Sequence, residues 1–203
     1  MKKIILIGSG GHASSCIDLI NQSEKYKIHG YVDNKKNKSL QFTFLGNDNQ
    51  LEIIKKKCSN AIIAIGQIKD SKLREKKYKL LKKLNFNLPN IISKNSYIAK
   101  NLEIGEGNSF FTNSIINYNS KIGNNNIFNS RSLIEHDVKI GNNNHISTGV
   151  IINGNCSIGN NNFIGSGVII NNNVKIGNFC IISSGSIIKN NISDFKIVKW
   201  KKN

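Results

Sequence analysis

The sequence predicts a small α/β unit with a parallel sheet, followed by a parallel β-helix of about five to six coils. Two observations support this fold class. Near the amino terminus, a glycine-rich turn separates an apolar strand pattern from a helix pattern. In the second half of the chain, an apolar residue recurs at every sixth position for 17 consecutive steps. The first pattern predicts the α/β unit, and the second predicts the β-helix.

The first 88 residues alternate between strand and helix patterns. Strands are expected at 2–7, 28–32 and 61–65, and helices at 11–22, 47–57 and 71–84. This alternation is typical of a Rossmann-like parallel sheet. The only proline, Pro89, marks the end of the unit. The predicted domains are therefore 1–88, 89–190 and a C-terminal tail at 191–203.

The turn at residues 8–13 reads Gly-Ser-Gly-Gly-His-Ala and fits the fingerprint of dinucleotide-binding folds. Asp33 follows about 20 residues later, where such folds place the acidic residue that binds the ribose. Taken alone, the turn favours an NAD-dependent dehydrogenase. However, a unit of 88 residues is too short for the two mononucleotide-binding halves of that fold. The dehydrogenase interpretation therefore ranks last.

The repeat in the second half has a period of six inside a period of 18. Ile-Gly pairs recur every 18 residues, at 104–105, 122–123, 140–141, 158–159 and 176–177. The sixfold series of Ile and Phe runs from Ile92 to Ile188, and Asp194 ends it. Both periods follow if each coil has three faces and each face points one Ile or Phe side chain, its anchor, into the interior. Small or β-branched residues four positions after the anchors should fill the interior, and the "GNNN" segments should form left-handed corners.

The composition argues against several classes of function. The chain has 27 Lys and 2 Arg against 12 acidic residues, for a net charge of +17. Because the lysines are scattered and aromatic residues make up only 7%, a nucleic-acid partner is not expected. We interpret the lysines as a solvated surface, with steering of nucleotide diphosphates or coenzyme A as a second interpretation.

The cysteines and the apolar segments indicate the compartment. The four cysteines lack metal-ligand spacing, so we expect reduced, buried thiols and no metal site. Cys156 in particular is expected to be a buried structural thiol. No apolar stretch approaches membrane-spanning length, so the sequence predicts a cytoplasmic protein without a membrane partner.

Two of the four histidines, His136 and His145, interrupt the coils. Neither is an inward anchor, and we expect both at the corners of the β-helix. Histidine is the usual general base near neutral pH, and Asp137 could orient His136 and raise its basicity. A solvated histidine without a function is the alternative, and the direction of Glu135 stays open.

Together these motifs resemble a family of bacterial sugar acetyltransferases that join a nucleotide-sugar domain to a left-handed β-helix. The family includes UDP-4-amino-sugar N-acetyltransferases of bacillosamine synthesis, GDP-perosamine N-acetyltransferases and sialic acid O-acetyltransferases. The resemblance covers residues 2 to about 190. It is carried by the turn at 8–13, Gly30-Tyr31-Val32-Asp33, Ala64-Ile65-Gly66, Ile134-Glu135-His136-Asp137, and His145 with Gly154-Asn155.

The resemblance implies acetyl-CoA-dependent N-acetylation of a UDP-, GDP- or dTDP-linked 4-amino sugar for surface glycan synthesis. His136 would be the general base, and Asp137 would orient it. The residues implied for acetyl-CoA are His145, Gly154, Ser166 and Ser184. Those implied for the nucleotide sugar are Gly10, Gly11, His12, Asp33, Asn34 and Gly66. The resemblance also implies a homotrimer with acetyl-CoA between neighbouring protomers.

The tail "KIVKWKKN" departs from the Gly-x-Pro-Ala-Lys ending that is usual in this family. Two alternative functions stay open beside N-acetylation. One is O-acetylation of a sialic-acid-type sugar, within the same fold. The other is a non-catalytic β-helix that binds nucleotide sugars and has lost CoA binding, as the altered tail would allow.

Overall fold

The computed structural model describes residues 1–199, and its amino-terminal unit is a four-stranded parallel sheet flanked by helices. The strands have the order β3-β2-β1-β4. The elements are β1 (Lys2–Ile7), α1 (Gly11–Ser23), β2 (Tyr26–Val32), β3 (Phe44–Gly46), a 3-10 turn (Asp48–Gln50), α2 (Leu51–Lys57), β4 (Ala61–Ile63) and α3 (Lys72–Lys83). The predicted α/β unit is confirmed, and β3 is the only strand in it that the sequence analysis missed.

The second half is a stack of short parallel strands in three sheets, consistent with a left-handed parallel β-helix. Within residues 1–199 there are eighteen of these strands with two residues each, and seventeen of them end at a predicted anchor. Sheet I contains β5 (Ile91–Ile92), β8 (Ser109–Phe110), β11 (Ile127–Phe128), β14 (His145–Ile146), β17 (Phe163–Ile164), β20 (Ile181–Ile182) and β22 (Ile197–Val198). Sheet II contains β6 (Tyr97–Ile98), β9 (Ile115–Ile116), β12 (Leu133–Ile134), β15 (Ile151–Ile152), β18 (Ile169–Ile170) and β21 (Ile187–Ile188). Sheet III contains β7 (Glu103–Ile104), β10 (Lys121–Ile122), β13 (Lys139–Ile140), β16 (Ser157–Ile158) and β19 (Lys175–Ile176).

The anchors form one continuous core, as the repeat predicts. Residues such as Phe128, Ile146 and Ile164 are fully buried and belong to a single cluster. The small positions beside them, including Val150 and Cys156, are buried in the same cluster. All four cysteines are buried and free, as expected from their spacing. Burial raises the pKa of the Cys156 thiol, which fits a structural role.

The glycine of each recurring Ile-Gly pair has a different structural role from the one that the sequence suggested. We expected Gly and Asn together to provide left-handed corners, but the left-handed residue is the second Asn of each segment, for example Asn125 with φ 56°. The glycine is needed for close stacking of the coils. A Cβ on Gly123 would lie 2.6 Å from the carbonyl oxygen of Gly141.

The β-helix continues past residue 190, into the segment predicted as a tail. Its last coil is two residues shorter than the others, because Ile181 pairs with Ile197, 16 positions later. Ile192 and Val198 therefore pack against the core, whereas Asp194, which ends the sixfold series, does not. Asp194 instead accepts a hydrogen bond from the Asn178 N–H at 2.8 Å. Residues 200–203 of the predicted tail lie outside the described part of the chain.

The three sheets present different outer faces. The amino-terminal unit covers the first strands of sheet I, where Ile91 and Ile127 share a core with Ile4 and Leu19. The outward residues of sheet III are charged or polar, namely Glu103, Lys121, Lys139, Ser157 and Lys175. Those of sheet II are all apolar, namely Tyr97, Ile115, Leu133, Ile151, Ile169 and Ile187. Within residues 1–199, no helix combines the length and apolarity needed to cross a bilayer.

Candidate active site

His136 and Asp137 lie together at the corner between sheets II and III. The Nδ1 of His136 is 2.7 Å from Oδ2 of Asp137. Asp137 has φ 60°, the left-handed conformation that the neighbouring coils assign to Asn119 and Asn155. The hydrogen bond with His136, and then that from Asn119, hold the pKa of Asp137 below its usual value. The carboxylate is therefore ionised at neutral pH and fixes the proton of the imidazole on Nδ1.

Gly154, in the next coil, makes room for the imidazole ring. A Cβ on Gly154 would lie 2.9 Å from Nε2 of His136 and 2.8 Å from its Cε1. The His136 side chain is 61% exposed, so the Nε2 lone pair can receive a proton from a ligand at this corner. Among residues 1–199, no protein acceptor takes a hydrogen bond from the Gly154 N–H.

Glu135 makes no hydrogen bond with His136 or Asp137 within the described part of the chain, and bonds instead to the preceding coil. Its Oε2 accepts a hydrogen bond from the Asn117 side chain at 2.9 Å. Glu135 and His136 line an open cleft together with residues of the two preceding coils, including Tyr97 and Tyr118. No residue of the amino-terminal unit lines this cleft within the described part of the chain.

A second cavity lies at the glycine-rich turn, where the sequence predicts a nucleotide. Gly8 is required by the fold, since it has φ +103° and a Cβ would meet Ile65 at 2.6 Å. Gly10 and Gly11 differ from it, because a Cβ on either would have no neighbour within 4 Å. They line the cavity at the start of α1, where backbone N–H groups suit an anion.

The other residues predicted for this cavity also line it. Asp33 accepts hydrogen bonds from the Ser9 backbone N–H at 2.8 Å and from its hydroxyl at 2.6 Å. The Asp33 carboxylate therefore holds the glycine turn in place. Asn34 and Gly66 also line the cavity. The cavity measures about 210 Å³, less than the ~300–1,000 Å³ typical of ligand pockets.

His12 joins this cavity to the β-helix. Its ring lies 5.6 Å from that of Phe111 and 6.2 Å from that of His145, measured between centroids. Its Nε2 is buried and has no hydrogen-bond partner in the part of the chain that the structure describes. Burial, followed by the charge of Arg74 and by His145, lowers the pKa of His12 to about 3. His12 is therefore neutral at physiological pH.

His145 is not at a corner, and the expectation that it lies there is wrong. It begins strand β14 of sheet I, where the amino-terminal unit covers it and leaves it 7% exposed. Its Nδ1 donates to the Gln67 carbonyl at 2.7 Å, and its Nε2 accepts from the Asn129 amide at 3.0 Å. Burial lowers the pKa of His145 to about 4, so it too is neutral. To bind acetyl-CoA, as predicted, it must exchange the Asn129 hydrogen bond for one to the ligand.

Ser166 and Ser184 lie at the corner between sheets I and II, and both are exposed. They are stacked on successive coils, with the Gly185 N–H donating to the Ser166 carbonyl at 2.9 Å. Within one protomer, the residues predicted for acetyl-CoA therefore occupy three places. Gly154 lies under His136, the serines lie at the other edge of sheet II, and His145 lies under the amino-terminal unit.

The comparisons with known proteins agree with the resemblance predicted from the motifs. Residues 3–81 match the PglD N-terminal domain, and residues 155–190 match the bacterial transferase hexapeptide family of six repeats. No curated protein matches the chain in sequence. The chain thus combines a PglD N-terminal domain with hexapeptide repeats.

Solved structures give the same result over nearly the whole chain. A histidine-to-asparagine mutant of perosamine N-acetyltransferase from Caulobacter crescentus, in complex with CoA and GDP-perosamine, is 25% identical with a TM-score of 0.88. That match covers 95% of this chain and 91% of the other. The acetyltransferase domain of PglB from Neisseria gonorrhoeae, in complex with acetyl coenzyme A, is 23% identical with a TM-score of 0.89 and coverages of 97% and 95%. WeeI from Acinetobacter baumannii is 22% identical with a TM-score of 0.72 and coverages of 98% and 97%.

Proposed function

We propose that this chain is an acetyl-CoA-dependent N-acetyltransferase that acts on a nucleotide-linked 4-amino sugar used in surface glycan synthesis. The observation that carries the proposal is the His136–Asp137 pair, held 2.7 Å apart on an exposed corner. Among the similar structures, perosamine N-acetyltransferase holds CoA and GDP-perosamine in its crystal structure. Because acetyl-CoA is a cytoplasmic metabolite, the predicted cytoplasmic location belongs to the same proposal.

The geometry supports direct transfer of the acetyl group. Asp137 keeps the proton of His136 on Nδ1, so Nε2 can take the proton of the sugar amine as its nitrogen attacks the thioester carbon. The unpaired Gly154 N–H can donate to the oxygen that becomes negative in the tetrahedral intermediate. The C–S bond then breaks, an amide forms, and the CoA thiolate takes up the proton that His136 received.

A homotrimer would bring the separated parts of the site together. The six outward residues of sheet II are apolar, and Tyr97 and Ile187 are 58% and 60% exposed in the single chain. An apolar face of this length on a soluble protein marks an interface. Sheet II has the corner with Ser166 and Ser184, the serine corner, at one edge and the corner with His136, the His136 corner, at the other. Three copies packed around this sheet would place the serine corner of one protomer beside the His136 corner of the next.

The same packing would complete the nucleotide cavity, which is the cavity at the glycine-rich turn of residues 8–13. The amino-terminal unit sits on sheet I, next to the serine corner, so it would face the His136 corner of the neighbouring protomer. A cavity of about 210 Å³ does not enclose a whole nucleotide sugar. The sugar end would therefore extend towards the neighbour's His136, with acetyl-CoA between the two protomers.

The test of the reaction is acetyl transfer followed by release of the CoA thiol. We expect His136→Ala to lose about 10²–10⁴-fold in kcat, the usual contribution of a general base, and to retain acetyl-CoA binding. Asp137→Asn should lose less of its kcat, because asparagine tolerates the left-handed backbone conformation of this corner and can still form a hydrogen bond with His136. Activity within a few-fold of wild type in His136→Ala would contradict the assignment. Turnover of free sialic acid alone would favour the O-acetyltransferase alternative, and nucleotide-sugar binding without turnover would favour the non-catalytic one.

The shared site has its own test. Gly10→Val blocks the nucleotide cavity, and His136→Ala removes the base, so each variant trimer should be inactive. In trimers assembled from a mixture of both variants, one of the three interfaces between protomers can combine the intact cavity of a His136→Ala protomer with the intact base of a Gly10→Val protomer. Recovery of activity on mixing supports the shared site, and permanent inactivity of the mixed trimers contradicts it.

A further inference from the structure

Arg74 is a wholly buried cation at the junction between the amino-terminal unit and the β-helix. It lies on α3 and is 1% exposed. Its Nη1 donates to the carbonyls of Ile63 at 2.7 Å and Ile65 at 2.9 Å, and its Nε donates to the Asn125 carbonyl at 3.3 Å. Its Nη2 has no hydrogen-bond partner among residues 1–199. Burial lowers the pKa of Arg74 to about 10, which leaves it charged at neutral pH.

No carboxylate compensates this charge. Within residues 1–199, Arg74 takes part in no ion pair, and its hydrogen bonds go only to neutral carbonyls. The titratable groups nearest to it, His12 and His145, are neutral at physiological pH, and burial raises the pKa of Cys16 to about 12. A buried charge without a counter-ion is costly to the fold. Such a cost calls for a compensating gain.

The nucleotide cavity is separated from this cation by residues that contact both. Ile65, whose carbonyl receives the Arg74 hydrogen bond, lines the cavity, and so does Leu73, the residue before Arg74. The charged residues that line the cavity are Asp33 and Lys77. Lys77 is neutralised by Asp48, with Nζ 2.6 Å from Oδ1. Without Arg74, the lining would carry a net negative charge from Asp33 and would repel a diphosphate.

We infer that Arg74 is the buried counter-charge for the anionic diphosphate of the nucleotide sugar, acting through the cavity lining at Ile65 without touching the ligand. The inference rests on the proposed function of the cavity and adds the group that makes it selective for anions. Two unit charges about 10 Å apart at an effective dielectric constant of about 20 change an equilibrium by about ten- to twenty-fold. Because the cation is buried, salt should screen this effect far less than it screens the effect of surface lysines.

The experiment measures binding of GDP, UDP, guanosine and uridine to the full chain by calorimetry. Arg74→Met removes the charge, Arg74→Lys retains it without the guanidinium fork, and Lys56→Met removes a surface charge from α2 as the matched control. We expect Arg74→Met to bind the diphosphates about ten-fold more weakly and the nucleosides unchanged. Arg74→Lys and Lys56→Met should stay within about three-fold of wild type. Equal losses in Arg74→Met and Arg74→Lys, or no loss in either, would overturn the inference.

A measurement on the wild-type protein covers the case in which the variants do not fold. The preference for GDP over guanosine should remain about ten-fold in 1 M NaCl, where the Debye length is about 3 Å and surface charges are screened. If the preference disappears in high salt, surface lysines recognise the phosphates and the inference is wrong. If the wild-type chain binds neither diphosphate, the nucleotide assignment and the inference both fail. If it binds them and does not acetylate, only the proposed reaction fails.

Discussion

Acidification should destabilise the protein through the two histidines that are buried at the domain junction. Burial lowers the pKa of His12 to about 3 and that of His145 to about 4, from the ordinary value of 6.5. Since both values are lower in the folded chain, the unfolded chain binds more protons below pH 6.5. Stability is therefore fully retained above pH 6.5 and falls as the pH drops towards the folded values.

The size of the effect follows from the shifts. Below pH 6.5, each histidine that is protonated only in the unfolded chain lowers the free energy of unfolding by about 1.4 kcal/mol per pH unit. At pH 5 each histidine should therefore cost about 2 kcal/mol, or about 4 kcal/mol together. Asp137 and Asp194 do not contribute in this window, because the pKa of each is lowered from 3.8 and their stabilisation is lost only at lower pH.

Urea unfolding at constant protein concentration, from pH 7 to pH 5, measures this loss. His145→Asn keeps a donor for the Gln67 carbonyl and removes the titrating group, so its loss over this range should fall to about 2 kcal/mol. His29→Asn, on strand β2 away from the junction, should keep the full loss. A free energy of unfolding that stays constant between pH 7 and pH 5, or an unchanged loss in His145→Asn, would refute the reasoning.

Three substitutions of glycine and one of isoleucine test other parts of the structure. Gly154→Ala places a Cβ 2.8 Å from Cε1 of His136, so the exposed imidazole ring should move. The movement should lower kcat by at least about ten-fold, while the midpoint of urea unfolding stays the same. Gly123→Ala brings a Cβ to 2.6 Å from the backbone of the next coil and should cost about 1–3 kcal/mol in urea unfolding. Gly10→Ala meets open space, so stability should be unchanged while the KM for the sugar donor rises and that for acetyl-CoA does not. Ile151→Glu puts a charge on the apolar face of sheet II and should give monomers in sedimentation.

The interior of the β-helix could be predicted because its pattern is local. Each strand places one side chain inward, so the sixfold series of Ile and Phe identifies the core without knowledge of long-range contacts. The series ends at Asp194, as the sequence indicates, for an equally local reason. The last coil is two residues shorter, which moves Ile192 and Val198 into the inward positions. The positions before the anchors also carry a readable signal, since those of sheet II are apolar in every coil.

The environment of His145 and Arg74 could not be predicted in this way, because it depends on how two domains dock. His145 precedes an anchor, so the repeat alone directs it outward, and only the amino-terminal unit above sheet I buries it. Arg74 stands in a lysine-rich helix pattern that indicates a solvated surface. It is buried because its helix carries it to the junction, where carbonyls of both domains accept its hydrogen bonds.

The corner position explains how the proposed catalytic pair can be added to a repeat fold at little cost to stability. The core depends on the anchors, whereas a corner requires only a residue that tolerates the left-handed conformation, which Asn119 and Asn155 provide in the adjacent coils. Asp also tolerates this conformation, so Asp137 completes the corner and at the same time holds the His136 imidazole. The ring needs space on its outer side only, which the neighbouring Gly154 supplies. Histidine and aspartate thus enter the repeat where neither displaces an anchor, and the same argument explains why the proposed general base lies at a corner of the β-helix.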